Sequence, residues 1–306
     1  MFILHYSVLK NESIEGLNIK KDGIYVDCTL GYAGHSSEIL KAIPNGFLYA
    51  FDMDKKAISY STDKLKEIGS NFHIFNSNFV NLKECLREQG VDKVDGILFD
   101  LGFSSPQIDD ASRGFSFMHD GALDMRMGDE GKTAKDIIDN YSFEELREIF
   151  FRYGEEKFSS NIAKKIKDNK DSINTTQELV EVIKSAVGAN YFFKTHPERN
   201  IFQALRIEVN SELSVLKEVL PDAIDLLNEH GRLCVISFHS LEDRIVKNIF
   251  KEYSEVKEPF RGERDIPKEY LPKIKIINKK VILPSDKELS ENSRSHSAKL
   301  RIVEKI

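Results

Sequence analysis

Three aspartates, Asp27, Asp52 and Asp100, each close a short apolar, β-prone run, over residues 23–26, 47–51 and 94–99. Carboxylates at the carboxyl ends of strands stand where open α/β sheets bind their ligands. After the first run comes Asp27-Cys28-Thr29-Leu30-Gly31-Tyr32-Ala33-Gly34-His35, a strand-to-helix turn with two glycines. Glycine there lets the backbone approach a ligand closely and take positive φ. Asp52 ends the next strand, where an acidic residue accepts hydrogen bonds from ribose hydroxyls. The pattern is that of a nucleoside site.

A nicotinamide dinucleotide and S-adenosylmethionine both satisfy that pattern, and two features favour the second. The turn lacks a complete GxGxxG, so a pyrophosphate cradle is poorly supported. Asp27 and Asp100 bring negative charge that suits a sulfonium and an ammonium and repels a pyrophosphate. No GxxxxGK[ST] is present, which argues against a P-loop nucleotidase. A plainer reading has Gly31 and Gly34 merely shaping a turn and Asp52 capping a helix that starts at Lys55. Carboxylates at three successive strand ends weigh against it.

Holding those acids on one edge takes alternating strands and helices. Helix patterns cover residues 36–42, 55–68 and 82–89, with a further strand at 72–75. Such alternation implies a parallel, doubly wound sheet. From 108 to 205 the pattern changes to a Gly- and Met-rich loop followed by helices without a convincing strand. Ser142-Phe143-Glu144-Glu145 and Thr175-Thr176-Gln177-Glu178 match capping boxes, so helices should start at Phe143 and Thr176. Alternation resumes with a helix at 212–227, a strand at 232–238, a helix at 241–250 and two last strands at 273–283 and 298–303, expected to pair. The expected fold is α/β: a discontinuous cofactor domain of residues 1–107 and 206–306, interrupted by a helical domain, 108–205, for substrate recognition.

The chain has 306 residues, 41% of them hydrophobic, enough for a substantial core. Its net charge of −6 is unhelpful to a nucleic-acid binder, since affinity comes largely from phosphate neutralisation. Residues 261–306, however, carry 12 Lys+Arg against 7 Asp+Glu, a basic tail on an acidic remainder. Cys28, Cys85 and Cys234 lie far apart and offer no disulfide framework or CxxC knuckle, which fits a reducing cytosol. The histidines show no metal-ligand spacing, so no metal is expected. The first ten residues lack the apolar core of a secretory signal, and no run is long enough to span a bilayer. The expected setting is cytoplasmic, without membrane association.

The most specific segments are longer. Asp100-Leu101-Gly102-Phe103-Ser104-Ser105-Pro106-Gln107 runs on to Arg113-Gly114-Phe115-Ser116-Phe117 and Asp120-Gly121-Ala122-Leu123-Asp124-Met125-Arg126-Met127. Phe202-Gln203-Ala204-Leu205-Arg206-Ile207, Asn210-Ser211-Glu212-Leu213 and Ser237-Phe238-His239-Ser240-Leu241-Glu242-Asp243-Arg244 follow in order. Together they resemble the RsmH (MraW) family from His5 to the Ala298-Lys299-Leu300-Arg301 tail. That resemblance implies a Rossmann-like class I methyltransferase sheet with an inserted helical domain. It implies S-adenosylmethionine as cofactor and methylation of N4 of a cytidine at the decoding centre of small-subunit ribosomal RNA. By motif, cofactor contacts would fall at Ala33, Gly34, His35, Asp52, Phe79, Asp100 and Gln107, beside Asp27 and Gly31. The chain departs from the family at Ala33, where glycine is usual, at Asn200-Ile201 before Phe202, where Arg-Thr is usual, and at His296, where arginine is common.

Methyl transfer to an exocyclic amine needs an acceptor for the amino protons and tight positioning. Asp100 is assigned both the methionine amine and the target, with Ser104, Ser105 and the Pro106 turn shaping the target pocket. His239 either contacts the base or satisfies a hydrogen bond at a strand end. Arg113, Arg126, Arg206 and Arg244 are the candidate RNA contacts. Arg261, Arg264, Lys268, Lys273, Lys275, Lys279 and Lys280 either track the backbone or form a solvated face. Phe115, Phe117, Met118, Met125 and Met127 could stack on an extruded base, but packing of the insertion is favoured for most. The partner is small-subunit ribosomal RNA or the assembled small subunit, and a homodimer is left open. Two rivals are a nicotinamide oxidoreductase and a ribosome-assembly factor without chemistry.

Overall fold

A computed structural model describes the protein from Ser7 to Ile306; His5, where the family likeness begins, lies outside the described residues. Contacts divide the chain into two bodies, one formed by the segments up to Gly102 and from Leu213 to Ile306, the other by Phe103–Glu212. The second body thus reaches beyond the expected 108–205 at both ends. Phe103 belongs to it because its ring stacks on Phe115 at 5.5 Å. Glu212 belongs to it because it accepts both forks of the Arg206 guanidinium, at 2.8 and 3.0 Å.

The first body is a seven-stranded sheet. Its strands are β1 (Ile24–Asp27), β2 (Phe47–Asp52), β3 (Phe72–Asn76), β4 (Val94–Asp100), β5 (Leu227–Ser237), β6 (Ile274–Ile276) and β7 (Lys299–Lys305). Their spatial order is β3-β2-β1-β4-β5-β7-β6. The pairings among β1 to β5 are parallel, while β7 runs antiparallel to both β5 and β6. This is the expected doubly wound, mostly parallel α/β sheet. Successive side chains of a strand point to opposite faces, and both faces here are covered. Ile97, Phe99, Leu233 and Val235 enter one apolar cluster, and Tyr25, Leu98, Cys234 and Ile236 enter the other.

Helices Gly34–Ala42, Lys55–Lys66 and Leu82–Glu88 occupy the stretches where helical spacing placed them. The helices after the insertion run over Glu212–Leu226 and Ser240–Ser254. A first helix, Lys10–Leu17, carried no such signal because its apolar residues are sparse. The last two strands pair as expected, but β6 is only three residues long, and beyond it a lone bridge joins Ile282 to Leu300. β5 begins at Leu227, earlier than expected, with an irregular register against Val94 and Gly96.

The second body is helical, and among its described residues it has no strand, only an isolated bridge between Ala122 and Thr175. Helices start at Phe143 and Thr176, capped by the side chains of Ser142 and Thr175 as the capping boxes require. Its core includes Phe115, Leu123, Met125, Ile137, Phe150, Ile183 and Leu205. Among the described residues, no helix is long and apolar enough to cross a membrane.

Candidate functional site

The bend after β1 is built by its own side chains. Asp27 is 1% exposed. Its Oδ1 accepts the Thr29 amide at 3.1 Å, and its Oδ2 accepts the Ser36 hydroxyl at 2.6 Å. Burial pushes this carboxyl up, and those hydrogen bonds pull it back. Asp27 therefore braces the bend from inside. Thr29 carries the link onward, because its Oγ1 accepts the Asp100 amide at 2.7 Å. The tip of β4 is tied to the tip of β1.

Gly31 and Ala33 both sit in the left-handed region, at φ of 48° and 55°. Gly31 suits it, while Ala33 is strained by roughly 1–2 kcal/mol through the crowding of its Cβ. At Gly34 the close neighbour is the chain itself: a Cβ would lie 1.7 Å from Ser7 Oγ. The sequence leaves that glycine divided between a ligand approach and a mere turn.

Asp52 stands over the same bend from β2. Its Oδ2 accepts the Gly31 amide and its Oδ1 the Asp54 amide, each at 2.8 Å. Helix Lys55–Lys66 is capped instead by Asp54, which accepts from the Lys56 amide at 2.9 Å. Burial is the main reason that the Asp52 carboxyl is pushed up to about 6. A carboxylate offers about four acceptor sites, so these bonds leave room for a hydroxyl donor. Beyond β3, Phe79 is half-buried and meets Phe99 edge-on at 5.4 Å.

Asp100 ends β4. Its Oδ2 is 3.5 Å from His35 Nδ1, and its Oδ1 is buried without a hydrogen-bond partner. Burial, with the negative charges of Asp27, Glu242 and Glu288, holds its carboxyl well above the usual range. His35 is 4% exposed, at the start of the helix that follows the bend. At the tip of β5, the amides of Phe238 and His239 donate to Glu242 Oε2, and His239 Nε2 lies 3.2 Å from Glu242 Oε1. His239 is thus the N-cap residue of helix Ser240–Ser254. Arg244, a proposed RNA contact in this body, is exposed on that helix. In the tail, Lys273 pairs with Asp225 and Lys275 with Glu304, while Arg264, Lys268, Lys279 and Lys280 are exposed.

The other sequence-derived residues lie in the helical body. Ser104 is the N-cap of the short helix Ser105–Asp109, and its amide donates to Gln107 Oε1 at 2.9 Å. The side chain of Ser105 lies outside the described residues. Arg113 Nη2 donates to the carbonyls of Arg126 and Met127, at 2.7 and 3.0 Å. Arg126 holds both oxygens of Asp124, at 2.8 and 2.7 Å. Arg206 lies 4.5 Å over the Phe103 ring while paired to Glu212. These three guanidiniums organise their own body. Phe115 and Met125 are buried in its core, and Met118 is 73% exposed.

Sequence reasoning passed over Thr29, Ser36, Asp54 and Glu242, although two had a legible signal. An Asp directly before a helix pattern is a cap, and His239-Ser240-Leu241-Glu242 has the capping-box spacing.

The family model described as the MraW methylase family matches residues 2–306. Over 306 residues the chain is 52% identical to the ribosomal RNA small subunit methyltransferase H of Exiguobacterium sibiricum, covering 99% of this chain and 98% of that protein. Over 305 residues it is 53% identical to the protein of the same name from Mycoplasma mycoides subsp. mycoides SC, covering 98% and 99%. An rRNA methylase structure from Streptococcus thermophilus overlaps 96% of this chain and 95% of its own, at 13% identity and a TM-score of 0.42.

Proposed function

We propose, from the premise that the chain belongs to the MraW methylase family, that it carries a methyl group from S-adenosylmethionine to N4 of a cytidine at the decoding centre of small-subunit ribosomal RNA. The single observation that carries the chemical part is Asp100 Oδ1, buried without a donor. Such an orphaned acceptor is rare and costs about 1–3 kcal/mol, which a ligand donor would recover.

The residues present fit that cofactor. Bound there, S-adenosylmethionine would supply an electrophilic sulfonium methyl. Asp52 would accept the ribose hydroxyls with its remaining lone pairs, and Phe79 would offer a ring to the base. Asp100 would accept hydrogens from the methionine ammonium and the target amine. The cytosine N4 lone pair is delocalised into its ring, so a fixed acceptor for the amino hydrogens turns it toward the methyl. Positioning of this kind contributes several kcal/mol to lowering a barrier. An enzyme that acts on a base atom must take that base out of its stack. We assign that task to the helical body, whose Ser104 and Ser105 are its candidates for the target, and we place the enzyme in the cytoplasm with the small subunit.

Incubation with labelled cofactor and immature small subunits, followed by mass spectrometry of the RNA, tests the proposal. One labelled cytidine is the expected result; unlabelled RNA would favour an assembly factor without chemistry. Titration calorimetry separates the oxidoreductase alternative, since S-adenosylhomocysteine should bind and NAD should not.

A further inference from the structure

The peptide unit that joins Val8 to Leu9 is held at both ends. Its carbonyl oxygen lies 3.2 Å from His35 Nε2. Its N–H donates to Glu288 Oε1 at 2.8 Å. A carbonyl can only accept, so His35 Nε2 carries a hydrogen. The other ring nitrogen, Nδ1, faces Asp100 Oδ2 at 3.5 Å. At that distance the imidazole and the carboxyl interact through charge, and a proton on either partner makes the contact favourable. A continuous polar path therefore runs from Glu288 through one peptide group and one imidazole to the tip of β4.

Glu288 is diverted to make this path. Ser285 caps the helix Asp286–Glu291 by accepting the Glu288 amide at 3.2 Å. In that Ser-x-x-Glu spacing, the glutamate usually turns back to the cap amide. Here the carboxylate reaches instead to Leu9, which is fully buried and holds a left-handed φ of 50°. The absence of a side chain at Gly34, where a Cβ would strike Ser7, lets the same segment lie close to the helix that bears His35. An anion on the N–H of a peptide makes its carbonyl a stronger acceptor. The grip on His35 Nε2–H tightens accordingly, and a histidine's outer partner sets the basicity of its other nitrogen.

We propose that Glu288 is a positioning residue for the methyl-donor pocket: through the Val8–Leu9 peptide it fixes His35, and His35 fixes the Asp100 carboxylate. The proposal rests on the reading of Asp100 as a cofactor contact. Three variants of the full chain test it: E288A, E288Q and the control S285A, which weakens the same helix but keeps the carboxylate. E288A should weaken S-adenosylhomocysteine binding about tenfold, as loss of an outer partner does elsewhere. It should raise KM for the methyl donor more than it lowers kcat, and it should move the 15N resonances of the His35 ring. E288Q keeps an acceptor for the Leu9 amide but loses the charge and should fall between E288A and wild type, while S285A should stay close to wild type. Wild-type affinity and unmoved His35 resonances in E288A would overturn the proposal. The ring resonances need no ligand, so they report the relay even if wild type fails to bind S-adenosylhomocysteine, an outcome that would sink the cofactor reading instead.

Discussion

Thr29 Oγ1 accepts the backbone amide of Asp100 at 2.7 Å, while the Thr29 amide donates to Asp27 at 3.1 Å. One short side chain thus sets the spacing between two strand tips, and with it the place of the unpartnered Asp100 oxygen.

Replacing Thr29 with valine keeps the shape and leaves the Asp100 amide without its acceptor. We expect T29V to lose about 1–3 kcal/mol of stability in urea unfolding, with weaker S-adenosylhomocysteine binding by calorimetry. T29S restores the acceptor and should recover most of both. A T29V protein with wild-type affinity would remove the tie from the site.

Asp52 sets a pH dependence. Its carboxyl stands at about 6 because of burial. Hydroxyl donors from a ribose favour the ionised form, so the bound state holds this carboxyl lower than the free state. The contribution of Asp52 to the affinity for S-adenosylhomocysteine should therefore be level at and above neutral pH. It should fall as pH drops through about 6, approaching tenfold per unit until the bound form also takes up its proton. The D52N variant should bind weakly with no inflection there.

Ala33 is buried, with φ at 55°. Glycine relieves the Cβ crowding of about 1–2 kcal/mol but raises the entropy of the unfolded chain, which offsets part of it. A33G should raise the unfolding free energy by about 0.5–1 kcal/mol, read as a higher urea midpoint at an unchanged slope.

Arg206 is 13% exposed and its partner Glu212 9%. Truncating one side of such a pair strands the other charge, at about 3–5 kcal/mol. We expect R206A to show its main effect in urea unfolding. R244A, on an exposed helix position, should leave stability within about 0.5 kcal/mol and lower the salt slope of RNA binding by roughly one. The opposite pattern would make Arg206 a phosphate contact.

Much of the sheet was legible because its strands are short apolar runs that end in acids, and because β1 to β4 come in the order that alternation requires. Phe143 and Thr176 were placed as helix starts by capping chemistry, which is local and survives any tertiary arrangement. The sequence left Asp52 divided between cap and ligand, since that choice depends on Asp54 occupying the cap. Asp27 looked like a ligand carboxylate, but its partner Ser36 lies nine residues on, in the first turn of the next helix, and only the fold brings the two together. Glu288 gave no sign at all, because its partner Leu9 is 279 residues away.

The place of β5 has a cost that falls during synthesis. β4 pairs with β1 on one side and β5 on the other, yet the whole Phe103–Glu212 body is made between β4 and β5. While those helices are being made, one flank of Ile97, Leu98 and Phe99 stays bare on an edge that can pair with any passing strand. β6 waits in turn for β7, its strand partner among the described residues. Such long-range closure is slow, so a nascent chain of this design should lean on a chaperone until its second sheet segment arrives.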